Sequence, residues 1–98
     1  MLKTGIDRVR EFQTITRWMA ETYAEKNNDY GNSFETSLEE WGPIAFLVRA
    51  SDKWNRIKAL THGKQERRVK DETIRDTLLD LATYCIMFAM WVDKGGEK

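Results

Sequence analysis

Apolar positions recur along this chain at three- and four-residue steps, the spacing of one face of a helix. The first run is Ile6, Val9, Phe12, Ile15, Met19 and Tyr23, which predicts a helix from about Ile6 to Lys26. The stretch Asn27-Asn28-Asp29-Tyr30-Gly31-Asn32-Ser33 then breaks the period with residues that favour turns, so a loop is expected there. Ser33 or Thr36 suits the N-cap of a short helix through Leu38 to Trp41, ended by Gly42, and Pro43 suits the first turn of the next helix. That second long helix is expected from Pro43 to Leu60, with Ile44, Leu47, Val48, Ser51, Trp54 and Ile57 as its apolar side and His62-Gly63 as its stop. Lys64 to Lys70 is charged and without period, which reads as a solvated loop. Asp71 is a good N-cap for a third long helix, and Glu72 in its first turn complements the helix dipole. That helix runs to about Asp93, where Gly95-Gly96 terminates it. No strand alternation or internal repeat competes. The expected fold is all-α: one domain over residues 1–98, a bundle of three long helices plus one short connecting helix.

The third long helix is apolar on more than one side. Ile74, Leu78, Leu81, Ala82, Cys85, Phe88, Ala89 and Val92 form one face, while Leu79, Ile86, Met87, Met90 and Trp91 form much of another. A helix apolar nearly all round is buried on both sides, and three helices of this size do not wrap it fully. The pattern therefore predicts self-association, most simply a two-fold homodimer or a higher homo-oligomer with this helix near the interface. The plainer alternative is a central helix covered by the short connecting one.

Composition narrows the function classes. Lys and Arg total 16 and Asp and Glu total 16, so the formal net charge is zero and general nucleic-acid binding is not expected. One cysteine, Cys85, excludes an internal disulfide framework and a Cys-rich zinc site. The longest apolar run, Tyr84 to Val92, falls well short of the roughly 20 residues of a membrane span, and no signal-peptide core follows Met1. A cytoplasmic, membrane-free domain is the expectation.

Polar residues interrupt the apolar faces in a way that suggests a pocket. Glu72, Asp76 and Asp80 follow one another at four-residue steps and so share a side of the third long helix. On the second, Asp52 and Asn55 share a face, and Arg49, Lys53 and Arg56 line an adjoining strip. Asp80 has leucine neighbours, and a half-buried carboxylate needs a partner. Two helices presenting polar groups on an apolar background suggest a charged pocket between them. Its plain alternative is a structural ion-pair network, with Arg49 or Arg56 neutralising Asp76 or Asp80. Carboxylates from facing helices also hold Mg²⁺, and Mg²⁺ beside Arg and Lys is a phosphate-handling arrangement.

The loop after the first helix adds candidates. Lys26 is a point charge for phosphate, Asp29 and Tyr30 lie beside it, and Tyr30 or Phe34 suits stacking on a base. An ordinary helix C-terminus with a reversing Gly31 accounts for the same residues. Among the tryptophans, Trp54 is expected in the core, and Trp18 and Trp91 at an interface or as stacking platforms. His62 reads as a helix-end cap, and Cys85 as inert core. With one histidine in the chain, no Ser-His-Asp or Cys-His arrangement is available.

Three ordered blocks resemble a known family. Lys26-Asn27-Asn28-Asp29-Tyr30-Gly31-Asn32-Ser33-Phe34 is similar to the opening motif of the nucleotide modification associated domain of the first type, found in phages and bacteria. Its second block resembles the run from Gly42 to Lys58, and its third the run from Val69 to Tyr84. The resemblance covers about Glu25 to Met87 and implies work on nucleotides or modified bases in a phage or prophage. The helical layout resembles, more distantly, the all-α nucleoside triphosphate pyrophosphatases of the MazG-like kind, which hold Mg²⁺ with paired acidic motifs on two adjacent helices. This chain departs from that pattern: Glu72 and Asp76 are four apart rather than three, and the second long helix offers Asp52 beside Lys53 and Arg56.

Three readings follow. In the first, a nucleotide-binding protein holds a phosphate-bearing ligand between the second and third long helices, without hydrolysis, and so sequesters it. Lys26, Arg49, Lys53 and Arg56 meet phosphates, Tyr30 or a tryptophan stacks on the base, and Asp29, Asn55, Asp76 and Asp80 orient the basic groups or read polar edges. In the second, a Mg²⁺-dependent nucleoside triphosphate pyrophosphatase uses Asp52, Glu72, Asp76 and Asp80 as metal ligands. The third is a non-catalytic structural subunit.

Overall fold

A computed structural model of the chain describes residues 4–27, 32–62 and 67–96, with residues 67–71 described by their backbone alone. Helix α1 spans Gly5–Lys26, α2 Asn32–Trp41, α3 Ile44–His62 and α4 Arg67–Asp93, and no strand occurs among the described residues. The all-α class is as the periodicity predicts. Boundaries differ at two places. The fourth helix starts at Arg67 rather than at Asp71, so the charged segment 67–70 is helical and Asp71 is not its cap. Ser33 and Thr36 both lie inside α2, where the Thr36 hydroxyl donates to the Asn32 carbonyl one turn back. The Lys64 side of the expected loop lies outside the described residues.

Local chemistry fixes the helix ends. Thr4 caps α1 by accepting from the Asp7 amide, and the Asp7 carboxylate accepts from the Thr4 amide in return, a capping box. Gly42 closes α2 at φ 72°, a left-handed conformation that suits glycine, with its amide donating to the Leu38 carbonyl at 2.8 Å. Gly95, at φ 81°, ends α4 in the same conformation.

The core lies between α2, the start of α3 and the second half of α4. Phe34, Leu38, Tyr84, Met87 and Trp91 are buried together, with Tyr23, Ala45, Phe46 and Phe88 packed around them. Phe34 meets Tyr84 edge-on at 4.9 Å between ring centres, and Phe46 stacks on Phe88 at 4.6 Å. The Trp91 indole N–H donates to the Glu39 carboxylate at 3.0 Å, which lets a polar atom enter the core satisfied. The side of α4 that is covered carries Thr77, Tyr84, Met87 and Trp91, whereas Leu78, Cys85, Ile86, Met90 and Val92 are exposed.

Helices α3 and α4 form the main hairpin, α2 folds across its open end, and α1 leans chiefly on α4. The radius of gyration is 15.7 Å, against about 13 Å for a compact chain of 100 residues. The three-plus-one bundle is therefore looser than expected, because α1 stands partly away from it. Its expected core stripe is exposed at Ile6, Val9, Phe12 and Ile15, and only Met19 is buried. The expected core side of α3 is likewise exposed at Ile44, Leu47, Val48 and Trp54, leaving Ile57 and Leu60 buried. Trp54 is thus not core (55% exposed), Trp91 is core rather than interface (5%), and Phe34 is buried and unavailable for stacking. Cys85 is exposed, not inert core.

Candidate functional site

The register of three helices sets the site. On α1, Trp18, Thr22 and Lys26 follow at four-residue steps and so line one strip. On α3, Lys53 and Arg56 share a face, and on α4, Asp76, Thr77, Asp80 and Thr83 do. The strips face one another around an open cleft of about 510 Å³, with Met19 and Leu79 as its apolar floor. That volume lies within the range of small-ligand sites, about 300–1,000 Å³.

Charge within the cleft is arranged rather than scattered. The Lys53 ammonium meets the Asp80 carboxylate at 2.7 Å, with each side chain about a third exposed. Lys26 and Arg56 also line the cleft, and neither forms an ion pair within 4 Å among the described residues. Three cations face two carboxylates there, which favours an anionic ligand. The Thr77 hydroxyl donates to the Thr73 carbonyl at 2.8 Å and the Thr83 hydroxyl to the Leu79 carbonyl at 2.9 Å. With their protons committed, both oxygens remain as acceptors, as do Asp76 and Asp80. Trp18 stands at the edge, 46% exposed, with the Arg75 guanidinium 5.8 Å from its ring centre. The site thus combines three cations, a row of hydrogen-bond acceptors and a partly exposed indole.

Sequence reasoning located part of this. Lys26, Lys53, Arg56, Asp76 and Asp80 are brought together as expected, and Lys53 takes the partnering role expected of Arg49 or Arg56. The cleft is built from three helices, not two, because α1 supplies a wall. Arg49 lies instead over the Tyr84 ring, 5.9 Å from its centre. Asp52, Asn55 and Glu72 are exposed and do not line the cleft. Asp29 and Tyr30 lie outside the described residues. Trp18 was expected at an interface or as a stacking platform, and the cleft wall suits the second use. Met19, Thr22, Thr77, Leu79 and Thr83 were missed. The four-residue spacing of Trp18, Thr22 and Lys26 was a signal for the α1 wall.

The expected Mg²⁺ ligands do not converge. Of Asp52, Glu72, Asp76 and Asp80, only the last two line the cleft, and the Lys53 ammonium occupies the Asp80 carboxylate. Among the described residues no three His, Cys, Asp or Glu side chains are grouped to hold a metal ion. No described helix is long and apolar enough to cross a membrane.

Fold and site define an all-α helical domain with a mixed-charge cleft of small-molecule size. The model of the nucleotide modification associated domain 1 family matches residues 26–91, about two-thirds of the chain, and the chain belongs to that family. The match includes the α3 and α4 walls of the cleft and begins at Lys26, so Trp18 and Thr22 stand outside it. No curated protein and no solved structure matches the chain.

Proposed function

We propose that the protein binds a phosphate-bearing nucleotide in the cleft between α1, α3 and α4 and holds it without hydrolysis. One observation carries this reading: Lys26 and Arg56 line a 510 Å³ cleft beside an exposed Trp18 and a row of hydrogen-bond acceptors. Phosphate meets the guanidinium and ammonium groups. The base lies against the Trp18 indole, since stacking accepts any base. Asp76 and the threonine oxygens accept from amino groups of the base. Asp80 fixes Lys53 in place and is not itself a ligand of the phosphate, because two like charges in one site repel.

Holding without turnover accords with an acidic set of which only Asp76 and Asp80 line the cleft, Asp80 being paired with Lys53. Sequestration of a nucleotide is the use this chemistry suits, and a phage or prophage setting in the cytoplasm is part of the same proposal. The partner beyond the ligand is a second copy of the chain, since much of its apolar surface is uncovered. The test is a panel of mono-, di- and triphosphates, modified deoxynucleotides and cyclic oligonucleotides, followed by thermal shift and by phosphate and pyrophosphate release with Mg²⁺ present. A shift without turnover, lost in Arg56→Ala, is expected. Turnover lost in Asp80→Asn, with binding retained, overturns the reading in favour of a pyrophosphatase.

A further inference from the structure

A second cavity, of about 310 Å³, opens between α1 and α4 beside the charged cleft. Met19, Ala20 and Tyr23 line it from α1, and Ile86, Met87 and Met90 from α4. Its two other lining residues are threonines whose hydroxyl protons are committed within their own helices. Thr16 donates to the Gln13 carbonyl at 3.2 Å, and Thr83 to the Leu79 carbonyl at 2.9 Å. Among the described residues no charged side chain lines this cavity. Three of the chain's four methionines meet there. Methionine is unbranched and polarisable, so it moulds to apolar guests of varied shape. An apolar cavity of about 150 Å³ takes a benzene ring, so this one has room for a hydrocarbon group of that size or larger.

The cavity adjoins the cleft, since Met19 and Thr83 line both. Along α4 one strip at three- and four-residue steps runs through Asp76, Asp80, Thr83, Met87 and Met90. It is polar as far as Thr83 and apolar beyond it. From Asp80, which holds the Lys53 ammonium, to Met87 the helix rises roughly 10 Å. That is the order of the separation between a nucleotide's phosphate and the far edge of its base. We propose that the ligand is a nucleotide whose base carries a hydrocarbon substituent, with its phosphate in the cleft and the substituent in the α1–α4 cavity. This rests on the nucleotide reading above and names its ligand class. The substituent covers Ile86 and Met90, which are 49% and 41% exposed in the free chain. A plain nucleotide leaves both against water, so the cavity discriminates between the two.

Calorimetric titration of the full chain tests this, with adenosine monophosphate against the same nucleotide benzylated on its exocyclic amine, and cytidine monophosphate against its benzylated counterpart. In at least one pair the benzylated member is expected to bind at least tenfold more tightly, the worth of burying a ring-sized apolar group. Ala20→Phe fills the cavity, and Ile86→Ser makes its wall polar. Both positions are exposed, so both variants are expected to keep the helical circular dichroism of the parent. Each should abolish the advantage of the benzyl group and leave the affinity for the plain nucleotide unchanged. Equal affinity within both pairs overturns the inference and leaves the nucleotide site standing. A benzyl advantage that survives both variants puts the substituent elsewhere and also overturns it. No benzyl advantage, with a parent that sediments as a dimer and an Ile86→Ser variant that sediments as a monomer, gives the cavity to a second copy instead. No binding of any of the four overturns the inference, and the nucleotide reading then stands or falls on the wider panel of phosphates.

Discussion

Lys53 on α3 and Asp80 on α4 meet at 2.7 Å inside the cleft, tying its two long walls together while staying about a third open to solvent. A pair so exposed stabilises the fold by about 1 kcal/mol or less. On the nucleotide reading proposed above its larger effect is on the ligand, because it fixes a cation at a set position. Lys53→Met is therefore expected to change the unfolding free energy little. It should weaken nucleotide binding at least tenfold, since a charge-assisted hydrogen bond of about 1.5–3 kcal/mol is lost and 1.4 kcal/mol is a factor of ten. Chemical denaturation and calorimetric titration separate the two effects.

Trp18 is the one accessible indole in the cleft. Trp18→Ala is expected to weaken binding by about 1–3 kcal/mol, the worth of one base–aromatic stack. Trp18→Phe should recover most of that loss, because a ring plane is what the base requires. Inorganic phosphate has no base, and its weak binding should be indifferent to either change. Titration of the nucleotide and of phosphate into both variants reads the difference.

The helix count was legible in the sequence, as was the sharing of a face by some cleft-lining residues, and the reason is local. Periodicity reports which residues share a face, so Lys53 with Arg56 and Asp76 with Asp80 were grouped correctly. It does not report what covers a face. The stripes from Ile6 to Ile15 and from Ile44 to Trp54 read as core and are exposed in the single chain, because a shared face does not say whether another element packs on it. Trp54 and Trp91 were misplaced for a related reason, the first being exposed and the second buried. Trp91 enters the core because Glu39, fifty-two positions away, accepts from its indole N–H, a pairing no local pattern contains. The start of α4 was misread because a charged run without apolar period still forms helix when the backbone continues.

The Glu39–Trp91 hydrogen bond supplies a stability prediction. Glu39→Leu strands the indole N–H at the edge of the core and is expected to cost about 1–3 kcal/mol. Glu39→Gln keeps an acceptor at the same reach and should cost less. Thermal unfolding of the two variants gives the order.

Gly42 between α2 and α3 supplies another. Its φ of 72° places any other residue in the left-handed region, at about 1–2 kcal/mol. No atom stands in the way of an added Cβ, so the cost of Gly42→Ala is conformational alone. Urea unfolding is expected to show a lowered midpoint with an unchanged slope.

The most direct measurement is calorimetric titration of the nucleotide panel into the parent chain and into Arg56→Ala, at two ionic strengths. Arg56 lines the cleft and is exposed, so its loss should not disturb folding. The expected result is one saturable site for a phosphate-bearing nucleotide, weakened at least tenfold in the variant and weakened in the parent by added salt. Equal affinity in parent and variant, or no heat with any nucleotide while both remain folded, would contradict a nucleotide site in this cleft.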